Sequence, residues 1–170
     1  MVHAMNPPNN LLDLFSDPPT DSGALRGRLE DPETIRTFAL AGNAILTVAS
    51  RRTGVRFTYR IRAPFEGGAF KVEQSVRFVA VLTGADNAND YTYLGTLQEG
   101  VYHHGRKSRI GEEAPSAAAF RWFWRVLDSG RIEQCEVWHE GRCGKCGRKL
   151  TVPESVARGL GPDCAAMMGL

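Results

Sequence analysis

The chain has 170 residues, the length of one domain with room for a small appendage. Hydrophobic residues make up 42% and charged residues 24%, a globular composition, and no stretch approaches the roughly 20 apolar residues of a membrane-spanning helix, which excludes a helical membrane protein. The net charge of +2 neither demands nor excludes a nucleic-acid partner.

That small charge averages two unlike parts. Residues 1–34 carry a net charge of −4 and the remainder +6. A basic body behind an acidic leader points toward polyanion contact, and equally describes a solvated surface with a disordered tether. Residues 1–30 contain Pro7, Pro8, Pro18 and Pro19 among Asn, Asp, Ser and Gly, a composition that cannot bury enough surface to offset its ordering entropy. They are read as a flexible leader. They lack the basic start and apolar core of a secretory signal, so a cytoplasmic location is expected.

A helix is expected next. Asp31 is a good cap, Pro32 suits the first helical position, Ile35, Phe38 and Ala39 share a face, and Gly42 supplies the stop. Residues 44–49 read as a central strand. Residues 55–62 alternate, with Val55, Phe57, Tyr59 and Ile61 on one face and Arg56, Thr58, Arg60 and Arg62 on the other. Thr53-Gly54 between them predicts a hairpin turn. Two more strands are expected over 76–83 and 91–97, with a bulge at Gly95 and a fifth short strand around Val101 and Tyr102. The second helix opens at Pro115-Ser116 and closes at Gly130. Arg121, Arg125 and Asp128 form one narrow polar stripe, and Phe120, Trp122, Phe123, Trp124, Val126 and Leu127 cover the rest, so the helix must be packed on several sides.

All four cysteines lie in the last forty residues. In a chain of this kind they read as metal ligands rather than a disulfide frame. Cys143 and Cys146 have the spacing of a zinc knuckle, and Cys164 follows Gly161-Pro162-Asp163 in the first turn of a predicted helix, where thiolates are favoured. Three Cys plus His or four Cys both complete a tetrahedral zinc site. His139, four residues before Cys143 and beside Gly141, is preferred to Cys135, which sits in a predicted strand over 132–138. The expectation is one structural Zn2+ held by His139, Cys143, Cys146 and Cys164, with no coordination position left for Lewis-acid chemistry.

The stretch from Cys143 to Cys164, CGKCGRKLTVPESVARGLGPDC, resembles a family of small treble-clef-like zinc modules found in phage, plasmid and bacterial proteins, some of them attached to helicase-like or other DNA-processing domains. The likeness runs from His139 to Cys164, and it implies that Cys143, Cys146 and Cys164 are ligands. Segments around Arg52–Arg60, Val81–Asn87 and Asp90–Gly95 are similar to uncharacterised phage and plasmid proteins carrying this tail. That family has no settled activity, so the resemblance implies a metal and a context but no reaction.

Two further features bear on partners. Leu11, Leu12, Leu14 and Phe15 form an apolar island in the leader that resembles the peptide by which bacterial replication and repair proteins dock on the sliding clamp, with Leu11 where that peptide carries Gln. Basic residues gather at Arg51, Arg52, Arg56, Arg60 and Arg62, at Arg106, Lys107 and Arg109, and at Lys145, Arg148 and Lys149 beside the knuckle. Arginines spaced along a strand can track phosphates while Tyr91, Tyr93 and Tyr102 stack on unpaired bases, or the arginines merely keep one sheet face soluble. The usual hydrolase, P-loop, zinc-protease and dinucleotide motifs are absent. Asp86, Asp90, Glu99, His103 and His104 are the remaining residues from which a metal-dependent nuclease site would be built.

The combined expectation is an α+β domain over 31–130, with an antiparallel sheet packed by the Trp-rich helix. A small C-terminal zinc-binding module over 131–170 and the leader 1–30 complete the chain. The function expected is a non-catalytic, zinc-stabilised nucleic-acid-binding accessory protein of a phage, plasmid or bacterium. A mobile-element protein that inhibits a host complex, and less directly a nuclease, are the alternatives.

Overall fold

The computed structural model describes residues 27–170, so the apolar island Leu11–Phe15 and most of the leader lie outside the described residues. The elements are, in order, β1 (Gly27–Leu29), α1 (Pro32–Leu40), β2 (Asn43–Ser50), β3 (Arg56–Arg62), β4 (Phe65–Glu66), β5 (Ala69–Phe70), β6 (Val76–Leu82), β7 (Tyr91–Gln98), β8 (Val101–His104), α2 (Pro115–Asp128), β9 (Cys135–His139), α3 (Pro153–Arg158) and α4 (Pro162–Met167). Asp31 caps α1 as its sequence predicts, its carboxylate accepting from the Thr34 N–H at 2.8 Å.

Seven strands form one antiparallel sheet in the order β1-β9-β2-β3-β6-β7-β8, and β4 pairs with β5 as a separate small hairpin. The register shifts between Val79 and Ala80, which face Gly95 and Tyr93, so Leu94 is the extra residue of a bulge beside Gly95. Strand β1 lies within the stretch read as leader. Strand β9 lies within the stretch read as metal module, yet it is the second strand of the sheet, between β1 and β2. Both assignments depend on pairing between residues far apart in the sequence, Gly27 with His139 and Leu46 with His139, which no local pattern reports.

One face of the sheet is the core. Leu46, Tyr59, Ile61, Val79, Leu94 and Val137 are fully buried there against α1 and α2. Phe120 of α2 is the hub: the rings of Tyr59 and Tyr102 each lie 4.9 Å from it in edge contact, with Phe123 and Trp124 at 6.1 Å. Two polar tips of the aromatic core are satisfied by backbone. Tyr59 donates to the Ser116 carbonyl at 2.8 Å and Trp124 Nε1 to the Gly100 carbonyl at 2.7 Å.

Arg77 is the unexpected core residue. It is 7% exposed, and its guanidinium donates to the carbonyls of Leu40, Val72, Gln74 and Val76. The C-terminus of α1 has orphan carbonyls, and a cation placed there satisfies one of them and complements the helix dipole.

A second, smaller core under the C-terminal segment joins Ala41, Cys143, Leu150, Leu160, Cys164 and Ala165. The two cores meet at Phe38. Its ring packs against His139 at 5.3 Å. It also leaves so little room that a Cβ on Gly144 or Gly159 would stand 2.7 or 2.5 Å from its Cδ2. No helix of the described residues is long and apolar enough to cross a membrane.

Candidate metal centre and open sheet face

The C-terminal segment is built as a tight loop followed by two short helices. The loop closes through Gly147 N–H to the Cys143 carbonyl at 2.9 Å and Cys143 N–H to the Arg148 carbonyl at 2.8 Å, with Arg142 and Lys149 bridged as antiparallel partners. It is pinned to the domain by Asn43 N–H to the Gly144 carbonyl at 2.7 Å and to the turn after α3 by Gly144 N–H to the Gly159 carbonyl at 2.9 Å. Pro162 begins α4 and puts Cys164 in its first turn.

These constraints bring the Sγ atoms of Cys143, Cys146 and Cys164 within 4.8 Å of one another. That is a distance one tetrahedral ion can bridge with ordinary metal–sulfur bonds. Cys143 and Cys164 are buried and Cys146 is exposed. Burial opposes ionisation of Cys143, but the N–H groups of Cys146, Gly161 and Lys145 aimed at its sulfur outweigh that and hold its thiol below the ordinary value. Cys164 goes the other way. Burial, followed by hydrogen bonds with the Cys146 and Cys143 sulfurs and their charge, pushes it up to about 12. Cys143 thus gives up its proton readily while Cys164 resists losing its own, until a cation supplies the opposing charge. The donor set therefore fits a thiophilic metal ion, which Cys143, Cys146 and Cys164 could hold together.

The fourth-ligand expectation is not met by this geometry. His139 is 1% exposed, and both of its ring nitrogens are used elsewhere. Nδ1 accepts from the Gly141 N–H at 2.9 Å, so Nε2 carries the proton and donates to the Val156 carbonyl at 2.7 Å. Burial lowers its pKa below the ordinary 6.5, which keeps the ring neutral. Cys135 is no substitute. It lies in β9, its thiol reaches toward the Ile132 carbonyl at 3.7 Å, and burial pushes it up to about 11. Among the described residues, no other His, Cys or carboxylate group joins the three sulfurs.

The other sheet face is the second candidate. Register places Asn43, Ile45, Thr47 and Ala49 of β2 beside Arg62, Arg60, Thr58 and Arg56 of β3. Next come Phe78 and Ala80 of β6, then Tyr91 and Tyr93 of β7. The face holds aromatic and basic side chains in contact: the Arg60 guanidinium lies 4.3 Å from the Tyr91 ring centre, and Arg62 lies 5.8 Å from that of Phe70. Arg62 Nε also donates to Asn43 Oδ1 at 2.9 Å, which ties this face to the residue that pins the cysteine loop. Partial burial pulls Arg60 and Arg62 below the usual arginine value, and Arg60 adds to the effect on its neighbour Arg62, while Tyr91 opposes it.

The other sequence candidates divide. Arg51 is held near Glu136 at 3.8 Å, while Arg52 and Arg56 are exposed around the β2–β3 turn. Arg106, Lys107 and Arg109 are exposed on the loop after β8, whose Ser108 hydroxyl donates to the Tyr93 carbonyl at 2.7 Å. Arg148 and Lys149 are exposed and border the cavity beside the cysteines, and Lys145 reaches the Met167 sulfur at 3.8 Å. Tyr102 faces the core rather than the open face. Asp86, Asp90, Glu99, His103 and His104 are not gathered into a set of three that could hold a metal, among the described residues. Asp86 instead caps its own loop, accepting from Ala88 N–H and Asn89 Nδ2 at 2.8 Å, and the His104 ring lies between the Tyr102 hydroxyl and the Ile110 carbonyl.

A model for a family of unknown function (DUF6011) matches residues 138–169, the span from the end of β9 through α4. No curated protein matches the chain, and no solved structure does.

Proposed function

We propose that the protein is a zinc-stabilised, nucleic-acid-binding accessory protein of a phage, plasmid or bacterium, without a catalytic centre of its own. The observation that carries this reading is the arginine ladder Arg56, Arg60 and Arg62 on the uncovered sheet face, with aromatic rings beside it and exposed cations at both ends. Arginines along a strand meet successive phosphates, and each contact releases counterions.

Zinc is the ion that three thiolates at this spacing suit best. It would lock the cysteine loop against α4 and so fix Arg148 and Lys149 at the border of the cavity beside the cysteines. The ion's part in this reading is structural. The chain's own part is to present a rigid basic surface.

The test is fluorescence anisotropy of the full chain with single-stranded DNA, duplex DNA and RNA at 50 and 200 mM salt. Four phosphate contacts on a single strand predict an affinity falling about 50-fold between those conditions. Changing Arg56 and Arg60 together to Ala should flatten the salt slope. Changing Leu14 and Phe15 to Ala should leave binding intact, because in this reading those residues serve a protein partner. No binding at low salt, or an affinity insensitive to salt, would sink the proposal.

A further inference from the structure

The geometry points to a base-clamping groove on the open sheet face, in which one unpaired nucleotide of a single strand is held between aromatic rings and two arginines. This rests on the nucleic-acid reading above and narrows it to a ligand and a place.

The groove, of about 490 Å³, has Ala80 in its floor and walls formed by Arg60, Arg62, Phe78, Tyr91 and Tyr93. Its size is that of an ordinary small-ligand site. The small Ala80 is what makes the hollow: it is the cross-strand neighbour of both Arg60 and Tyr93, so it leaves a gap between them. The β4–β5 hairpin closes one end. Its two rings, Phe65 and Phe70, meet edge-on at 5.1 Å.

Three observations select an unpaired nucleotide. First, apolar rings are spent on solvent here: Phe65 is 62% and Phe78 43% exposed, although both core clusters are complete without them. Exposed aromatics on a sheet face are stacking platforms for bases, which a duplex would hide in its own stack. Second, the lining holds two arginines and no acid, so the groove favours an anion attached to a flat ring. Third, the groove is set up for exchange. The Arg60 guanidinium already stands over the Tyr91 ring, 4.3 Å from its centre, and only one of its N–H groups is engaged, with the Ala88 carbonyl at 3.2 Å. The Tyr91 hydroxyl beneath is shielded from water and has no hydrogen-bond partner. An arriving base takes the stacking place on the Tyr91 ring, and Arg60 swings to the phosphate, to which its free N–H groups can donate.

The experiment uses the full metal-loaded chain and three fluorescent probes of equal length: a 15-nucleotide oligothymidine, its abasic analogue with the same phosphate count, and a 15-base-pair duplex. The oligothymidine should bind at least tenfold more tightly than the abasic strand, since stacking on aromatics is strong and independent of base identity. The F65A/F78A variant should lose that tenfold and keep its abasic affinity. Both side chains are exposed, and unchanged metal content and circular dichroism would show that the variant is folded. Equal binding of base-bearing and abasic strands, or no effect of the variant, would overturn the clamp while leaving the wider reading standing. No binding to any probe would overturn both. Self-association of the wild type that is abolished in F65A/F78A would assign the groove to a second copy of the chain and overturn the clamp.

Discussion

His139 Nε2 lies 2.7 Å from the carbonyl oxygen of Val156, so the imidazole bolts β9 to α3 instead of reaching the cysteine cluster. The same ring accepts the Gly141 N–H and packs against Phe38, and a buried residue with this many partners is structural. Changing His139 to Ala should therefore leave the metal stoichiometry unchanged and lower stability by about 2–4 kcal/mol, from two orphaned backbone groups and a lost ring. Elemental analysis beside thermal melts checks this. Loss of the ion in the folded variant would restore His139 as a ligand.

The same residue has a pH signature. Its folded pKa lies below the ordinary 6.5, so the unfolded chain binds a proton first as pH falls. The imidazole's contribution is complete above about pH 6.5. It declines below that until the folded ring is itself protonated. Wild-type stability should therefore fall from pH 7 to pH 5 more steeply than that of His139→Ala. Parallel melting profiles over that range would contradict the neutral, doubly bonded ring.

The cysteines should separate cleanly. On the zinc reading proposed above, Cys146→Ser should release the ion and melt residues 140–170, because a structural zinc contributes on the order of 10 kcal/mol to a fold of this size. Cys135→Ser, in β9 and outside the cluster, should keep one ion per chain. Measured metal content of the two variants decides the matter, and equal loss in both would contradict the three-sulfur cluster.

Phe38 and Gly159 couple the two cores. Gly159 ends α3 with φ +74 and faces the Phe38 ring, so Gly159→Ala meets both backbone strain and a clash. A loss of about 1–3 kcal/mol is expected. Hydrogen exchange should show the faster opening confined to the cysteine loop and α3. A uniform effect across the sheet would argue against Phe38 as the joint.

Arg77→Lys tests the buried cation. A lysine ammonium cannot span four carbonyls arranged around a flat guanidinium, so stability should drop by about 2–4 kcal/mol despite the conserved charge. Denaturant unfolding measures it, and a loss under about 0.5 kcal/mol, the size of an ordinary surface change, would refute the role.

Much of this molecule was legible in the chain itself. Asp31 and Pro32, the alternation of residues 55–62, Thr53-Gly54, Gly95 and the aromatic run of α2 each announce an element through contacts a few residues apart. The knuckle spacing of Cys143 and Cys146, with Cys164 behind Gly161-Pro162, announced the sulfur cluster for the same reason. Tertiary structure alone decided the rest. It placed β9 between β1 and β2, gave His139 to Val156, buried Arg77 under α1 and set Phe65 and Phe70 at the end of the groove. Periodicity reports which side of an element is apolar, because a chain's own geometry repeats it locally. It carries no record of which backbone group a buried imidazole or guanidinium will satisfy, since His139 meets Val156 and Arg77 meets Leu40 only once the elements that carry them have packed together.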